Sequence, residues 1–323
     1  MKQTEFIVQN QEFWEQLQRN IKSPDKMSAP DMAAFPNDYR KLCQQLSLAK
    51  NRSYSNGLIA RLNAMVLTGH ALLYKPVKQG RYQWFRFLYY GFPNAIRRNQ
   101  SYVWIATAAF CLPLLLMGLA CYFSDTVVYS LMSVRDVANF ESMYDPANRV
   151  FGRERESTDN ILMFGHYIKN NISISFQCFA SGILLCVGSL FFLVFNGLYI
   201  GAVAGHLTNV GFTDTFYPFV VGHGSFELTA IVFSGAAGLK LGHALLVPGH
   251  LSRIDALKLA AKDAVKIIYG TTLMLIIAAF LEAFWSSQAS LPVSTKYLVG
   301  GVLWALVIAY FLFLGNEKKR QGQ

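Results

Sequence analysis

Long apolar runs at residues 102–124, 172–195, 216–246, 266–285 and 297–315 constrain this chain more than anything else in it. Crossing the hydrocarbon of a bilayer as a helix takes about 20 residues. Only a helix lets a single segment satisfy its own backbone hydrogen bonds in lipid. A sixth, shorter run covers 197–211, and Phe195, Asn196 and Gly197 read as the joint between it and the second run. The composition, 53% hydrophobic and 14% aromatic with 15% charged residues, belongs to a membrane protein and not to a soluble domain. The expected fold is all-α: a polytopic membrane protein of about six transmembrane helices, provided 197–211 crosses fully and does not re-enter.

Charge sets the expected orientation. Residues 1–101 hold 15 Lys+Arg against 6 Asp+Glu, the 247–266 loop 4 against 2, and the tail from 316 onward 3 against 1. Segments rich in Lys and Arg stay on the cytoplasmic side. The 125–171 stretch, with 5 basic and 7 acidic residues, goes outside. Both termini are then cytoplasmic, and the polar first residues read as no secretory signal. The net charge of +10 follows from this distribution and from attraction to anionic headgroups, and needs no nucleic acid. The expected divisions are a cytoplasmic helical domain (1–79), an interfacial amphipathic helix (80–100), a transmembrane domain (101–316) with an external segment (125–170), and a cytoplasmic tail (317–323).

In the leader, Phe6, Phe13, Trp14 and Leu17 fall near helical spacing. A second helix is expected from about Asp38 to Lys50, after the punctuation of Pro24, Pro30 and Pro36, and a third from about Ser55 to Tyr74. Between Tyr82 and Phe92, seven aromatic residues mix with basic ones, and Arg81, Arg86, Arg97 and Arg98 read as membrane-surface contacts beside the first span. Val134 to Met143 is patterned as a short amphipathic helix in the external segment. The five cysteines show no pairing pattern, so neither a disulfide nor a thiolate metal site is expected.

Small residues mark packing faces. Gly197, Gly201 and Gly205, next to Asn196, share one helix face, as do Gly235, Gly238 and Gly242, and such seams let backbones approach closely. They serve packing within the chain or a homo-oligomer. His223 and Glu227 are four apart, on one face of the fourth span, while His206, Glu282, Asn170 and Asn171 lie on other spans at comparable depth. An intramembrane carboxylate costs on the order of 2.5 kcal/mol or more and needs a partner in the bundle interior. Three readings stay open: structural glue, an ion or proton path, and a metal site. The stretch HGSFE lacks the second histidine of a helical zinc-protease pair. With no phosphate loop, dinucleotide fingerprint or nucleophile elbow either, no enzyme, metal or cofactor is expected.

At YRKL (39–42), the Asn170–Asn171 pair, FNGLYIG (195–201), GHGSFEL (222–228), GAAGLKLG (235–242) and IAAFLEAF (277–284), the chain resembles the stage II sporulation protein M family of bacterial integral membrane proteins. It departs from the family pattern at Gly222, where a proline often precedes the His-Gly pair. The resemblance implies a non-enzymatic inner-membrane scaffold that localises peptidoglycan-remodelling proteins, as the family's namesake does with an amidase and a lytic transglycosylase. The residues themselves leave a second function open: an ion or small-molecule channel or transporter with an outward-facing polar pocket.

Overall fold

The computed structural model describes residues 2–24, 27–73, 80–147, 157–288 and 290–315, with side chains except at 80–82, 157 and 158. Every regular element among them is helical, and the chain divides into two units, residues 1–80 and 81–323.

The first unit is three helices, α1 (Gln3–Lys22), α2 (Ala29–Asn51) and α3 (Asn56–Leu73). Their stripes meet in a core of Phe6, Trp14, Leu17, Leu42, Leu46, Leu62 and Met65. Helix α2 starts nine residues before the expected Asp38. Ser28 caps it by accepting the Asp31 amide at 3.3 Å, and Pro30 occupies the first turn, where no amide is needed. Pro36 is carried inside the helix as well. Tyr74, the expected end of α3, lies outside the described residues. Within the core Trp14 donates its indole N–H to Gln45 Oε1 at 2.7 Å, and Gln45 Nε2 donates to Asn10 Oδ1 at 2.6 Å. A Trp14→Phe substitution leaves the Gln45 oxygen unpaired beside a small void. It is expected to destabilise this unit by about 1–2 kcal/mol, measurable as faster proteolytic clipping within the first 80 residues of the intact protein.

The second unit begins one residue into α4 (Gly80–Arg86), which a π turn (Phe87–Gly91) and α5 (Phe92–Arg98) follow. Long helices follow: α6 (Gln100–Phe123), α8 (Ser157–Ala180), α9 (Val187–Asn209), α10 (Thr213–Leu246), α11 (Arg253–Phe280, extended by a π turn over Leu281–Ser286) and α12 (Val293–Phe313), with the short α7 (Val134–Tyr144) after α6. Five of these, α6, α9, α10, α11 and α12, are long and apolar enough to span a membrane. Helix α8 is as long as α6 but carries Asp159, Lys169, Asn170 and Asn171. Side-chain pairs show the six running up and down in alternation. One end, termed lower, brings Asn99, Tyr102, Lys240, His243 and Asp263 together. The other, upper, joins Asp125 to Asn209 and Thr208 to Tyr217.

The expected joint at 195–197 is not there. Asn196 lies inside α9, its amide donating to the Phe192 carbonyl at 2.7 Å, so 197–211 does not form a separate short span. The chain instead reverses in the middle of the second apolar run, through a 3-10 turn at Ser181–Ile183 and left-handed Leu185 and Cys186. This break is invisible to hydropathy because its residues are all small or apolar. It forms where α10 offers a bare backbone: Gly182 lies against Gly238, and Gly242 lies against Cys186.

Helix α10 is the axis of the bundle. Its small residues let α6, α8, α9, α11 and α12 all reach it, and its middle is almost wholly buried. Helices α6 and α12 lie at the rim and present Trp104, Leu115, Leu116, Leu298, Leu306 and Phe313 outward. Apolar surface on that scale is tolerated only in contact with lipid or another apolar partner. Gly197, Gly201 and Gly205 of α9 take the backbone of α6, where a β-carbon at each would strike the carbonyls of Phe110, Leu114 and Gly118 in turn. Both glycine seams are thus occupied within one chain.

Candidate functional site

His223 is set one turn into the buried stretch of α10 between Gly222 and Gly224. The glycine at 222 has a local reason: a β-carbon there would come within 2.8 Å of the Trp285 ring, so its absence lets the π turn after α11 lie against α10. The His223 ring meets Phe219 edge-on at 5.3 Å, and its Nδ1 is 3.2 Å from Ser286 Oγ. When Nδ1 carries the proton, for which the Phe219 backbone and the Ser286 hydroxyl are both partners, Nε2 presents a lone pair. It points along the helix towards Glu227, whose Oε2 is 4.0 Å away. That separation is too long for a hydrogen bond, which needs about 2.7–3.2 Å.

Glu282 arrives from the π turn. Such turns are rare and concentrate at functional sites, and this one carries both Glu282 and Ser286 to the α10 face. One ligand atom from each of His223, Glu227 and Glu282 lies within 4.8 Å of the others. Among the described residues no lysine or arginine stands within ion-pair distance of either carboxylate. Helix α8 supplies the fourth wall. Asn171 is 2% exposed; its Oδ1 accepts from Asn170 Nδ2 at 3.1 Å, while its own buried Nδ2 stands beside both carboxylates with no hydrogen-bond partner of normal geometry. Two carboxylates this close, both half-buried and with the Glu227 side chain 18% exposed, need a cation or a shared proton between them.

The same three helices continue the polar character downward. Two turns below Glu227, Ser234 of α10 bonds Ser175 of α8 and, at 3.1 Å, Thr271 of α11, all three buried. At the lower end Lys240 Nζ donates to Asp263 at 3.0 Å and to Asn99 at 2.8 Å. Polar side chains therefore recur down the α8/α10/α11 interface at roughly 10 Å intervals, taking about 1.5 Å per residue. Above the cluster, α7 folds over the bundle. Tyr144 packs on Phe216 and Phe219, its carbonyl accepts from Thr215, and burial together with nearby Glu282 pushes its hydroxyl pKa well up, keeping it a neutral donor.

His206 does not join the cluster. Its Nε2 pairs with Glu141 Oε1 of α7 at 2.7 Å and fastens that helix to α9. Arg97 donates to the carbonyls of Phe311 and Leu312 at 3.2 Å each, closing the end of α12, and Arg98 is 3.7 Å from Asp263. Arg86 is exposed, and the Arg81 side chain lies outside the described residues. Ser286, Glu141 and Tyr144 carried no sequence signal. A serine beside a Trp in an apolar run has no periodicity to betray it; Glu141 sits in the stretch patterned as an amphipathic helix, where a polar residue names no partner, and Tyr144 directly follows that stretch.

These features define a polytopic helical membrane protein with a buried polar centre on its axial helix. The family model for stage II sporulation protein M matches residues 104–287, more than half of the chain, and the protein belongs to that family. A second model, described as a domain of unknown function (DUF8413), matches residues 4–75. An uncharacterised protein of Methanocaldococcus jannaschii is 27% identical over 129 residues, which cover 38% of this chain and 69% of that protein. No solved structure matches.

Proposed function

We propose that this protein moves a cation across a membrane, taking it at the His223–Glu227–Glu282 centre. What supports the reading is the file of buried polar groups on α8, α10 and α11, which starts at that centre, passes Ser175, Ser234 and Thr271, and ends at Lys240 and Asp263. Bonds between Ser and Thr across helices also serve packing, but the ionisable groups at the two ends of this file are costly in lipid and are the kind that concentrate on ion and proton paths. The basic lower end, with Arg86, Arg97, Arg98 and Lys266, faces the cytoplasm by the positive-inside rule. The centre then lies in the outer half of the membrane, beneath α7, and α8 is the sixth crossing. In proteoliposomes, Glu227→Gln is expected to abolish a cation flux that the wild type supports, with unchanged elution in detergent. Wild-type vesicles that pass neither protons nor any of Na+, K+, Mg2+ and Zn2+ would rule the reading out.

A second reading rests on a different part of the chain. The first 80 residues have their own core and their own family match, as a docking module appended to a membrane anchor would. On this reading the protein is a scaffold that organises cell-envelope proteins from the cytoplasmic membrane. Co-purification from gently solubilised membranes tests it, with enrichment of envelope proteins over an unrelated six-span control as the supporting result.

A further inference from the structure

We propose that the cation taken by this centre is a divalent transition-metal ion of the zinc class, held by His223 Nε2, one oxygen of Glu227 and one of Glu282. The proposal rests on reading the centre as a cation site and names the class of cation.

Charge selects the valence. Two carboxylates and a neutral imidazole carry two negative charges in a site with no lysine or arginine at ion-pair distance among the described residues. A divalent ion makes it neutral. A single proton shared by the carboxylates leaves one negative charge uncompensated. Ligand type selects the class: one imidazole with two carboxylates suits zinc, manganese, iron or cobalt, whereas magnesium and calcium take oxygen ligands throughout.

Geometry allows it. Donors about 2.1 Å from a tetrahedral ion stand about 3.4 Å apart, so the 4.0 Å between His223 Nε2 and Glu227 Oε2 must close by about half an ångström, and the widest pair, within 4.8 Å, by up to about 1.4 Å. Rotation of a glutamate side chain supplies that without moving a helix.

Two further groups fit a metal. A ligating histidine is held by a partner on its other ring nitrogen, and Ser286 Oγ stands at His223 Nδ1, 3.2 Å away. The buried Asn171 Nδ2, beside both carboxylates without a hydrogen bond of normal geometry to either, is placed to donate to the outer oxygen of a carboxylate that has turned towards the ion. Three protein ligands leave one position open, the arrangement of a site that exchanges its fourth ligand and not of a sealed structural one.

The test uses the full chain in detergent, free of any histidine tag and stripped with a chelator, then titrated with Co2+ and, separately, with Zn2+ followed by elemental analysis. The expected result is about one ion per chain, with cobalt showing the visible absorption of a low-coordinate nitrogen–oxygen site. Glu227→Gln and Glu282→Gln, which keep shape and hydrogen bonding, are each expected to weaken binding by at least about a hundredfold. Ser286→Ala, which touches no ion, is expected to weaken it about ten- to a hundredfold. All three variants should elute and melt as the wild type does. Absence of a stoichiometric ion, or binding that both Glu→Gln variants retain while folded, overturns the proposal. Proton flux without metal binding overturns it too but leaves the transport reading standing. Metal bound without flux of any ion upholds the proposal and overturns the transport reading.

Discussion

Gly238→Val is expected to cost roughly 3 kcal/mol or more, above the ordinary range for an overpacked core, and to leave little folded protein in detergent. A β-carbon at 238 would come within 2.7 Å of the carbonyl oxygens of Cys178 and Phe179 and nearer still to the Ser189 hydroxyl. Two of these three obstacles are backbone and cannot swing aside. They belong to the end of α8 and the start of α9, so the substitution wedges apart the helices that the reversal at 181–186 draws onto α10. Association of helices in lipid depends on such close packing, because burial of apolar surface gives no preference for protein over lipid tails. Gly301→Val is the matched control: it makes the same change in α12, where nothing lies within 4 Å, and its effect is expected to stay within about 0.5 kcal/mol. Thermal unfolding of the two variants side by side decides the matter; equal melting would show that Gly238 is not in backbone contact with α8.

Asp263→Asn carries the second large effect. Lys240 Nζ holds Asp263 at 3.0 Å and Asn99 Oδ1 at 2.8 Å, and Asn99 in turn donates to the Ala95 carbonyl at 2.6 Å. The lysine and aspartate side chains are only 17% and 16% exposed. Removing the carboxylate leaves an ammonium with half its partners in a poorly solvated place, a loss of about 3 kcal/mol, at the low end for a buried pair because Arg98 and Lys266 keep part of the site wet. Replacing both partners, Lys240→Met with Asp263→Leu, removes the stranded charge along with the attraction. It is expected to recover most of the loss. A double variant as unstable as Asp263→Asn would mean that the pair contributes by attraction and not by mutual compensation. Because this pair closes the lower end of the polar file, flux in the double variant also tests whether the file is a route.

The helices of the bundle could be read from the chain because a membrane crossing is a local property. Residues 100–123 and 293–313 form helices with lipid-facing apolar surface whatever their neighbours do, since twenty apolar residues in lipid have one way to satisfy their backbone. The face shared by His223 and Glu227 is equally local, a consequence of four-residue spacing. Where α8 ends is not. The run 172–195 is apolar on both sides of the break, and only the bare backbone of Gly238 and Gly242 on another helix gives the turn a place to form. Ser286 is of the same kind: its position at the His223 ring depends on a π turn that no hydrophobic period encodes.

By itself, then, the sequence determined an all-helical membrane protein of the stage II sporulation protein M family, with carboxylates and imidazoles too costly to face lipid. Only the tertiary structure decided which of them meet. His206 went to Glu141 on α7, while Glu227 drew Glu282 and Asn171 from helices 55 and 56 residues away along the chain. The physical reason is that composition and spacing act within a segment, whereas the meeting of three helices at one level is set by how closely their backbones can approach, and that is fixed by glycines on the axial helix, far in sequence from two of the helices that pack on them.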